Sequence, residues 1–217
     1  MATSSAARLS GALLLLASAC ATTGARSPPK EEGSLALTDA QGNTISLASL
    51  WQDQRALVVV FWSAGCPCVQ RYQARVDALA AGYPGARVVG VASNAGEAMA
   101  DIVAAARARG VAVPIYRDED GSVAAALGAT STPTVAILDD AGALRFLGWL
   151  DNERQPGEPG RRAYAEDALA ALLSGAAPPL LRAPVYGCAI TRSLFASKTT
   201  RCHGAPAVGE SARAVTE

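Results

Sequence analysis

The chain has 217 residues, 50% of them hydrophobic, and its formal net charge at pH 7 is +0. This length and hydrophobic content are enough for one domain with a core of ordinary size. A balanced charge without a basic stripe argues against a nucleic-acid partner.

The N-terminus has the pattern of an export signal. Arg8 is followed by an uncharged apolar stretch, residues 9–19, that is too short to act as a stable transmembrane anchor. The small residues 17–19 fit the cleavage site of an ordinary secretory signal. The same end of the stretch also resembles a bacterial lipoprotein box, in which Cys20 would receive the lipid. We expect the lipoprotein form, because a cysteine at that one position would otherwise be a coincidence, and hence an envelope protein on the periplasmic side.

After the signal, the sequence predicts a tether and then one α/β domain. Residues 20–33 contain Pro28-Pro29 and charged residues, which is typical of a flexible linker. The body alternates strand and helix patterns, which favours a sheet covered by helices. In chain order the patterns predict strands at 57–62 and 86–92, a helix at 97–109, a strand at 111–116, a helix at 121–127, a hairpin of 134–138 with 144–149, and a helix at 161–173.

Residues 61–68, Phe-Trp-Ser-Ala-Gly-Cys-Pro-Cys, are the most informative stretch. Leu57 to Trp62 is a continuous β-branched and aromatic run, which predicts a buried strand. From Val69 onward apolar residues recur at helical spacing. Cys66 therefore lies where a strand ends and a helix begins, and the exposed amides and helix dipole there stabilise a thiolate. We predict that Cys66 is a redox nucleophile.

This stretch, followed by Ser131-Thr132-Pro133, resembles the thioredoxin-like superfamily, and within it the redoxin (alkyl hydroperoxide reductase/thiol-specific antioxidant) branch. The resemblance covers residues 34–175 and implies a central mixed sheet flanked by helices. Residues 35–47 are similar to the family's opening hairpin. Thr132 and Pro133 resemble the turn in which this superfamily keeps a cis-proline facing the active cysteine. The remaining residues, 176–217, are expected to form an irregular, partly disordered tail.

The sequence leaves the redox partner of Cys66 open. In the usual thioredoxin site the second cysteine lies three residues on, a position held here by Val69, and Cys68 comes one residue early. Side chains two apart on a helix do not face each other, so a Cys66–Cys68 disulfide needs a distorted first turn, which Pro67 eases. Strain would make such a bond more oxidising. Otherwise Cys68 is a small apolar residue of the helix.

Two further cysteines lie in the tail. The resemblance implies a role near the active site for the Gly187-Cys188 segment, so Cys188 would resolve an oxidised Cys66. Alternatively, Cys188 and Cys202 form a structural disulfide that closes a short loop, and we expect this pairing because it needs no long reach.

No cofactor and no metal are expected. His203 is the single histidine of the sequence and lies in the tail. Covalent haem attachment would need a cysteine where Thr199 stands. A thioredoxin-fold copper site would want a histidine within the domain.

The sequence is compatible with three functions. In thiol–disulfide exchange, Cys66 attacks a protein disulfide, the Thr132–Pro133 turn presents backbone to the substrate peptide, and a thiol reductant resets the enzyme. In peroxide reduction, Cys66 becomes a sulfenic acid that a thiol resolves. The resemblance to peroxiredoxins is incomplete, because Ser63 matches their motif but Val59 stands where they have proline. We therefore expect exchange, with a small peroxide as the alternative substrate. The third function is a non-catalytic redoxin-fold lipoprotein attached to the membrane through Cys20.

Overall fold

The computed structural model describes residues 35–153, 157 and 159–192. The elements are β1 (Ala36–Thr38), β2 (Thr44–Ser46), a 3-10 helix (Leu47–Trp51), β3 (Ala56–Trp62), α1 (Pro67–Gly82), β4 (Ala86–Ala92), α2 (Met99–Ala108), β5 (Ile115–Arg117), α3 (Ser122–Leu127), β6 (Ser131–Thr132), β7 (Thr134–Asp139), β8 (Leu144–Gly148), α4 (Tyr164–Leu173) and β9 (Cys188–Ala189). Seven of the strands form a mixed sheet in the order β2-β1-β5-β4-β3-β7-β8, and β6 pairs with β9 in a second, two-stranded sheet. This architecture confirms the predicted fold class.

Strand β3 lies at the centre of the sheet, and all of its residues are buried. It runs parallel to β4, with Ala56 opposite Ala86 and Trp62 opposite Ala92, and antiparallel to β7. Both faces of β3 are covered, which is why it is a continuous apolar run rather than an alternating one. Because β3 and β4 are parallel, their carboxyl ends lie at the same edge of the sheet. Cys66 follows β3 at that edge.

The two faces of the sheet pack against different helices. Alternate residues of β3 point to opposite faces, so Val58 and Val60 belong to one apolar cluster while Leu57 and Val59 belong to the other. Helices α1 and α4 contribute to the first cluster, and α3 and the 3-10 helix contribute to the second. Within the described ranges, no helix has the length and apolar content that crossing a membrane requires.

Strand β5 begins later than the apolar run at 111–116 predicts, and α2 is shorter than predicted. The amide of Val111 still closes α2, because it donates to the carbonyl oxygen of Ala106 at 3.0 Å. Pro114 has no amide hydrogen for a strand ladder. Pairing with β4 therefore starts only at the residue after that proline.

The chain after α4 folds back on the domain, although its sequence predicted no regular structure. Leu147 of β8 forms a bridge with Arg182. The amide of Trp149 donates to the carbonyl oxygen of Pro184 at 3.1 Å, and the Tyr186 ring packs edge-on against Trp149 with ring centroids 4.8 Å apart. These contacts carry the tail toward the edge of the sheet where Cys66 lies.

A buried ion-pair network fixes the helix that carries the site. Arg75 of α1 lies 2.7 Å from a carboxylate oxygen of Asp151 and 2.7 Å from one of Glu153. The Asp151 side chain is fully buried, and Arg161 is its second partner at 3.2 Å. The network ties α1 to the loop that follows β8.

Replacing Arg75 should destabilise the protein more than breaking a surface pair. Without Arg75 the buried carboxylates of Asp151 and Glu153 would keep Arg161 at 3.2 Å and 4.0 Å, which compensates two charges only in part. Removing one partner of a buried pair costs about 3 kcal/mol or more. We expect Arg75→Ala to lower the free energy of unfolding in urea by about 3 kcal/mol. Arg145→Ala is the matched control: its pair with Asp139 has a half-exposed arginine, and its loss should cost about 1 kcal/mol or less. Equal losses in the two variants would contradict this account of the network.

Candidate active site

Cys66 is the residue immediately before α1, and its backbone is extended (φ −89°, ψ 114°). Pro67 occupies the first helical position, where the missing amide hydrogen leaves no bond unmade. Cys66 is only 1% exposed and packs with Trp62, Val69 and Ile102. The predicted nucleophile thus has the expected helix N-terminus but is shielded from solvent.

The turn before β7 faces this cysteine. The peptide bond between Thr132 and Pro133 is cis, as the resemblance implied. The Cys66 thiol donates to the carbonyl oxygen of Thr132 at 3.3 Å. Thr132 is fully buried, so this carbonyl is held against the sulfur and away from bulk water.

Strand β9 brings a second thiol to the same place. Cys188 pairs with Thr132 in the antiparallel β6–β9 ladder. Gly187 makes this approach feasible: its φ is +154°, and a Cβ added to it would lie 2.0 Å from the Thr132 carbonyl oxygen. A residue with a side chain would have to push the backbone away. Beyond the strand, the amide of Ile190 donates to the carbonyl oxygen of Thr130 at 2.9 Å.

Three sulfur atoms meet at the start of α1. The Sγ atoms of Cys66, Cys68 and Cys188 all lie within 4.8 Å of one another. No disulfide joins these three cysteines. Cys68 and Cys188 are half-buried, and Arg71 donates to the Cys68 sulfur at 3.1 Å. Cys68 therefore lies at the site, although its role as a partner of Cys66 stays a prediction.

Neighbouring groups set the protonation of two of these thiols in opposite directions. Burial alone would raise the pKa of Cys66. Hydrogen bonds from the Cys188 thiol, the Thr132 side chain and the Val69 amide outweigh burial and lower that pKa below its ordinary value of 9.0. For Cys188, burial and then its hydrogen bond to Cys66 and the charge there raise the pKa to about 12. Cys66 therefore loses its proton at lower pH than Cys188, and once ionised it accepts a hydrogen bond from the Cys188 thiol.

The loop before Cys66 is held by a carboxylate that the sequence analysis did not single out. Glu97 accepts from the Ser63 hydroxyl at 2.5 Å and from the Gly65 amide at 3.3 Å. Its other carboxylate oxygen is buried and has no hydrogen-bond partner among the residues that the structure describes. The signal for this contact was topological: Ser63 and Glu97 follow adjacent parallel strands, whose carboxyl ends share one edge. Ser63, the residue that matched the peroxiredoxin motif, is thus engaged by Glu97.

Two arginines near the site have defined partners. Arg109 donates to the carbonyl oxygen of Ala64 and lies over the Trp62 ring, 5.4 Å from its centroid. The Arg71 guanidinium donates to the sulfur of Cys68. Two predicted site residues, Cys20 and Cys202, lie outside the described residues, so the lipidation and the Cys188–Cys202 disulfide stay predictions.

Comparison with known proteins shows the family to which the chain belongs. Residues 22–165 match the Redoxin family, and the chain belongs to this family. It is similar to a hypothetical protein of Sinorhizobium meliloti 1021, with 30% identity over 74% of this chain and 92% of that one, at a TM-score of 0.65. An uncharacterized conserved protein of Geobacillus kaustophilus is 28% identical over 76% of this chain and 92% of that one, at a TM-score of 0.66. No curated protein matches the sequence.

Family membership confirms the resemblance to thioredoxin-like redoxins. Together with a cysteine of lowered pKa at a helix N-terminus beside a cis-proline turn, it indicates a redox enzyme that works through thiols.

The pKa of Cys66 should depend on Cys188. Because the Cys188 thiol donates a hydrogen bond that favours the thiolate, Cys188→Ala should move the ionisation of Cys66 to higher pH. The measurement is the pH dependence of thiolate ultraviolet absorbance in a Cys68→Ser background, where Cys66 and Cys188 are the thiols present at the site. An unchanged midpoint would show that Cys188 does not stabilise the thiolate.

A side chain at Gly187 should expose Cys66. Gly187→Ala places a methyl group against the Thr132 carbonyl, so β9 should leave β6 and uncover Cys66. We expect N-ethylmaleimide to alkylate Cys66 about tenfold faster or more, as local opening becomes easier. Gly82→Ala is the control, because a Cβ at that position meets nothing within 4 Å. Equal rates in both variants would contradict the shielding role of β9.

Proposed function

We propose that the protein is a thiol–disulfide oxidoreductase in which Cys66 is the nucleophile and Cys188 is its redox partner. The observation that supports this proposal most is the β6–β9 pairing, which holds Cys188 opposite Thr132 and beside the Cys66 sulfur. Cys68 remains the alternative partner, because its sulfur lies within the same 4.8 Å.

The first chemical step uses the thiolate of Cys66. It attacks one sulfur of a substrate disulfide, forms a mixed disulfide, and releases the other substrate sulfur as a thiolate. The lowered pKa of Cys66 keeps this nucleophile ionised at lower pH than an ordinary thiol. The helix N-terminus and the Val69 amide support the same charge.

The second step releases the substrate. The Cys188 sulfur attacks the Cys66 sulfur of the mixed disulfide, and the Cys66–Cys188 disulfide forms as the substrate leaves with its second thiol. The Cys188 proton goes to one of the two departing thiolates, and the other takes its proton from water, so the enzyme supplies the substrate with two electrons and one proton. A thiol reductant then returns the enzyme to its dithiol form.

The raised pKa of Cys188 disfavours the second step before a substrate is bound to Cys66. The negative charge on Cys66 is one cause of the high Cys188 pKa of about 12. Once Cys66 is bound in a mixed disulfide, that charge is gone, and Cys188 loses its proton more easily. Cys188 therefore becomes a nucleophile after the substrate has been captured.

The tail must move for a protein substrate to enter. An extended peptide would pair with the edge of β6, which β9 already occupies. The tail is held just past β9, where Thr191 donates to the Asn94 side chain at 2.9 Å and accepts from the Ala95 amide at 2.7 Å. Lifting a strand of two residues between such anchors is a local opening rather than unfolding of the domain.

Peroxide reduction is the weaker candidate. Ser63 donates to Glu97 at 2.5 Å, and the carboxylate beside it would repel a developing peroxide anion. Arg109 bonds the backbone of Ala64, so its charge is directed to that carbonyl. A non-catalytic scaffold is also less well supported, since an inert thiol would not need a lowered pKa.

We also propose that the chain is exported and carries a lipid on Cys20, which would place the site in an oxidising compartment. The support is the apolar stretch at 9–19 and the cysteine that follows it. Metabolic labelling with palmitate in a bacterial host tests this proposal, and the absence of label would contradict lipidation.

Activity assays of single variants test the exchange mechanism. We expect Cys66→Ser to abolish reduction of insulin disulfides by dithiothreitol. Cys188→Ser should slow turnover by about tenfold or more and accumulate a mixed disulfide between Cys66 and substrate, because the resolving thiol is lost. Hydrogen peroxide consumption should stay near the uncatalysed rate.

Cys202→Ser is the matched control, because it removes a tail thiol that the mechanism does not use. It should keep wild-type insulin reduction. Full activity in Cys66→Ser, or a loss in Cys202→Ser as large as in Cys188→Ser, would contradict the assignment of the two active thiols.

A further inference from the structure

The thiol cluster of Cys66, Cys68 and Cys188 has a geometry that disulfide exchange does not require. The proposed exchange mechanism uses two sulfur atoms of the protein, yet three lie within 4.8 Å of one another. Two come from the start of α1, and the third comes from β9, far along the chain. The three sulfurs, two from the start of α1 and one from β9, could therefore contact a single bound ion.

We propose that the reduced thiol cluster is a binding site for a soft monovalent metal ion, Cu(I), held by three thiolates. Cysteine thiolate is the ligand that selects Cu(I), zinc and iron–sulfur clusters over harder ions. From the sequence we expected no metal, because a thioredoxin-fold copper site would want a histidine within the domain. Cys188, brought in by β9, supplies a third sulfur and removes that requirement.

The surroundings of the thiol cluster favour Cu(I) over zinc. Structural zinc sites are almost always four-coordinate, whereas the cluster offers three ligand atoms. Cys66 is buried, and the apolar side chains of Trp62, Val69 and Ile102 line its side of the cluster. These three side chains carry no oxygen ligand for a hard cation, and the oxygen atoms that contact the Cys66 sulfur are the uncharged ones of Thr132.

Charge at the cluster is partly balanced. Each protonated thiol that becomes a ligand releases one proton, so three thiolates and one Cu(I) carry a net charge of −2. The Arg71 guanidinium, 3.1 Å from the Cys68 sulfur, offsets part of that charge. The ion would enter between Cys68 and Cys188, whose side chains are half-buried while Cys66 is enclosed.

Metal binding and disulfide exchange exclude each other in this site. A disulfide between any two of the sulfurs removes two ligands, so Cu(I) should bind the reduced protein and not the oxidised one.

The proposal of a metal site does not rest on the exchange function. A chain that binds Cu(I) but does not reduce insulin would support the metal site and refute the oxidoreductase.

The test uses the full chain with Cys20→Ser and Cys202→Ser, because these changes leave the thiol cluster as the remaining three of the five cysteines. The reduced protein is titrated anaerobically with Cu(I) in competition with bicinchoninate. We expect one Cu(I) per chain, and X-ray absorption of the complex should show three sulfur neighbours. A count of two sulfurs, or no retention of copper against the chelator, would overturn the proposal.

Single variants in the same background assign the ligands. Cys66→Ser, Cys68→Ser and Cys188→Ser should each weaken Cu(I) binding by about tenfold or more, with circular dichroism used to check folding. Ser131→Ala, next to the cis-proline turn but without a thiol, is the matched control and should keep the affinity. Unchanged affinity in Cys188→Ser would reduce the site to the Cys66–Cys68 pair and contradict the three-thiolate geometry.

Discussion

The close approach of β9 to the cis-proline turn is the contact on which the site depends. At Gly187 the two backbones are so close that a Cβ would meet the Thr132 carbonyl oxygen at 2.0 Å. This contact sets the β6–β9 register, and that register places Cys188 next to Cys66. Without it, the domain would present a buried cysteine at a helix N-terminus with only Cys68 nearby. One short strand thus supplies the third sulfur and contributes to the lowered pKa of Cys66 and to its shielding.

The central part of the fold could be predicted from sequence because its signals are local. The apolar run of β3 and the strand at 86–92 needed only hydrophobic continuity, and the hairpin of β7 and β8 needed only two strand patterns and a turn. Cys66 could be placed at the start of α1 because the pattern changes from strand to helix spacing there. The family resemblance then pointed to Thr132 and Pro133.

The remaining features could not be predicted, because they depend on contacts between distant segments. Strand β9 has only two residues and exists because β6 offers an edge, so no periodicity marks it. Nothing local distinguishes Glu97 from other charged residues at the start of a helix. The sequence raised two roles for Cys188, a resolving thiol and a structural pairing with Cys202, and the second stays a prediction. Loop length could not show that Cys188 reaches the site, because the entropic cost of bringing distant segments together is offset by tertiary packing of the tail against Trp149.

The identity of the disulfide formed on oxidation tests the central claim most directly. Trypsin cleaves after Arg55, Arg71, Arg182 and Arg192, so Cys66 and Cys68 share one peptide and Cys188 lies in another. After one equivalent of oxidant, non-reducing mass spectrometry should find these two peptides joined, and fragmentation before Pro67 should assign the link to Cys66. A disulfide confined to the first peptide, or Cys188 joined to the peptide that contains Cys202, would contradict the account.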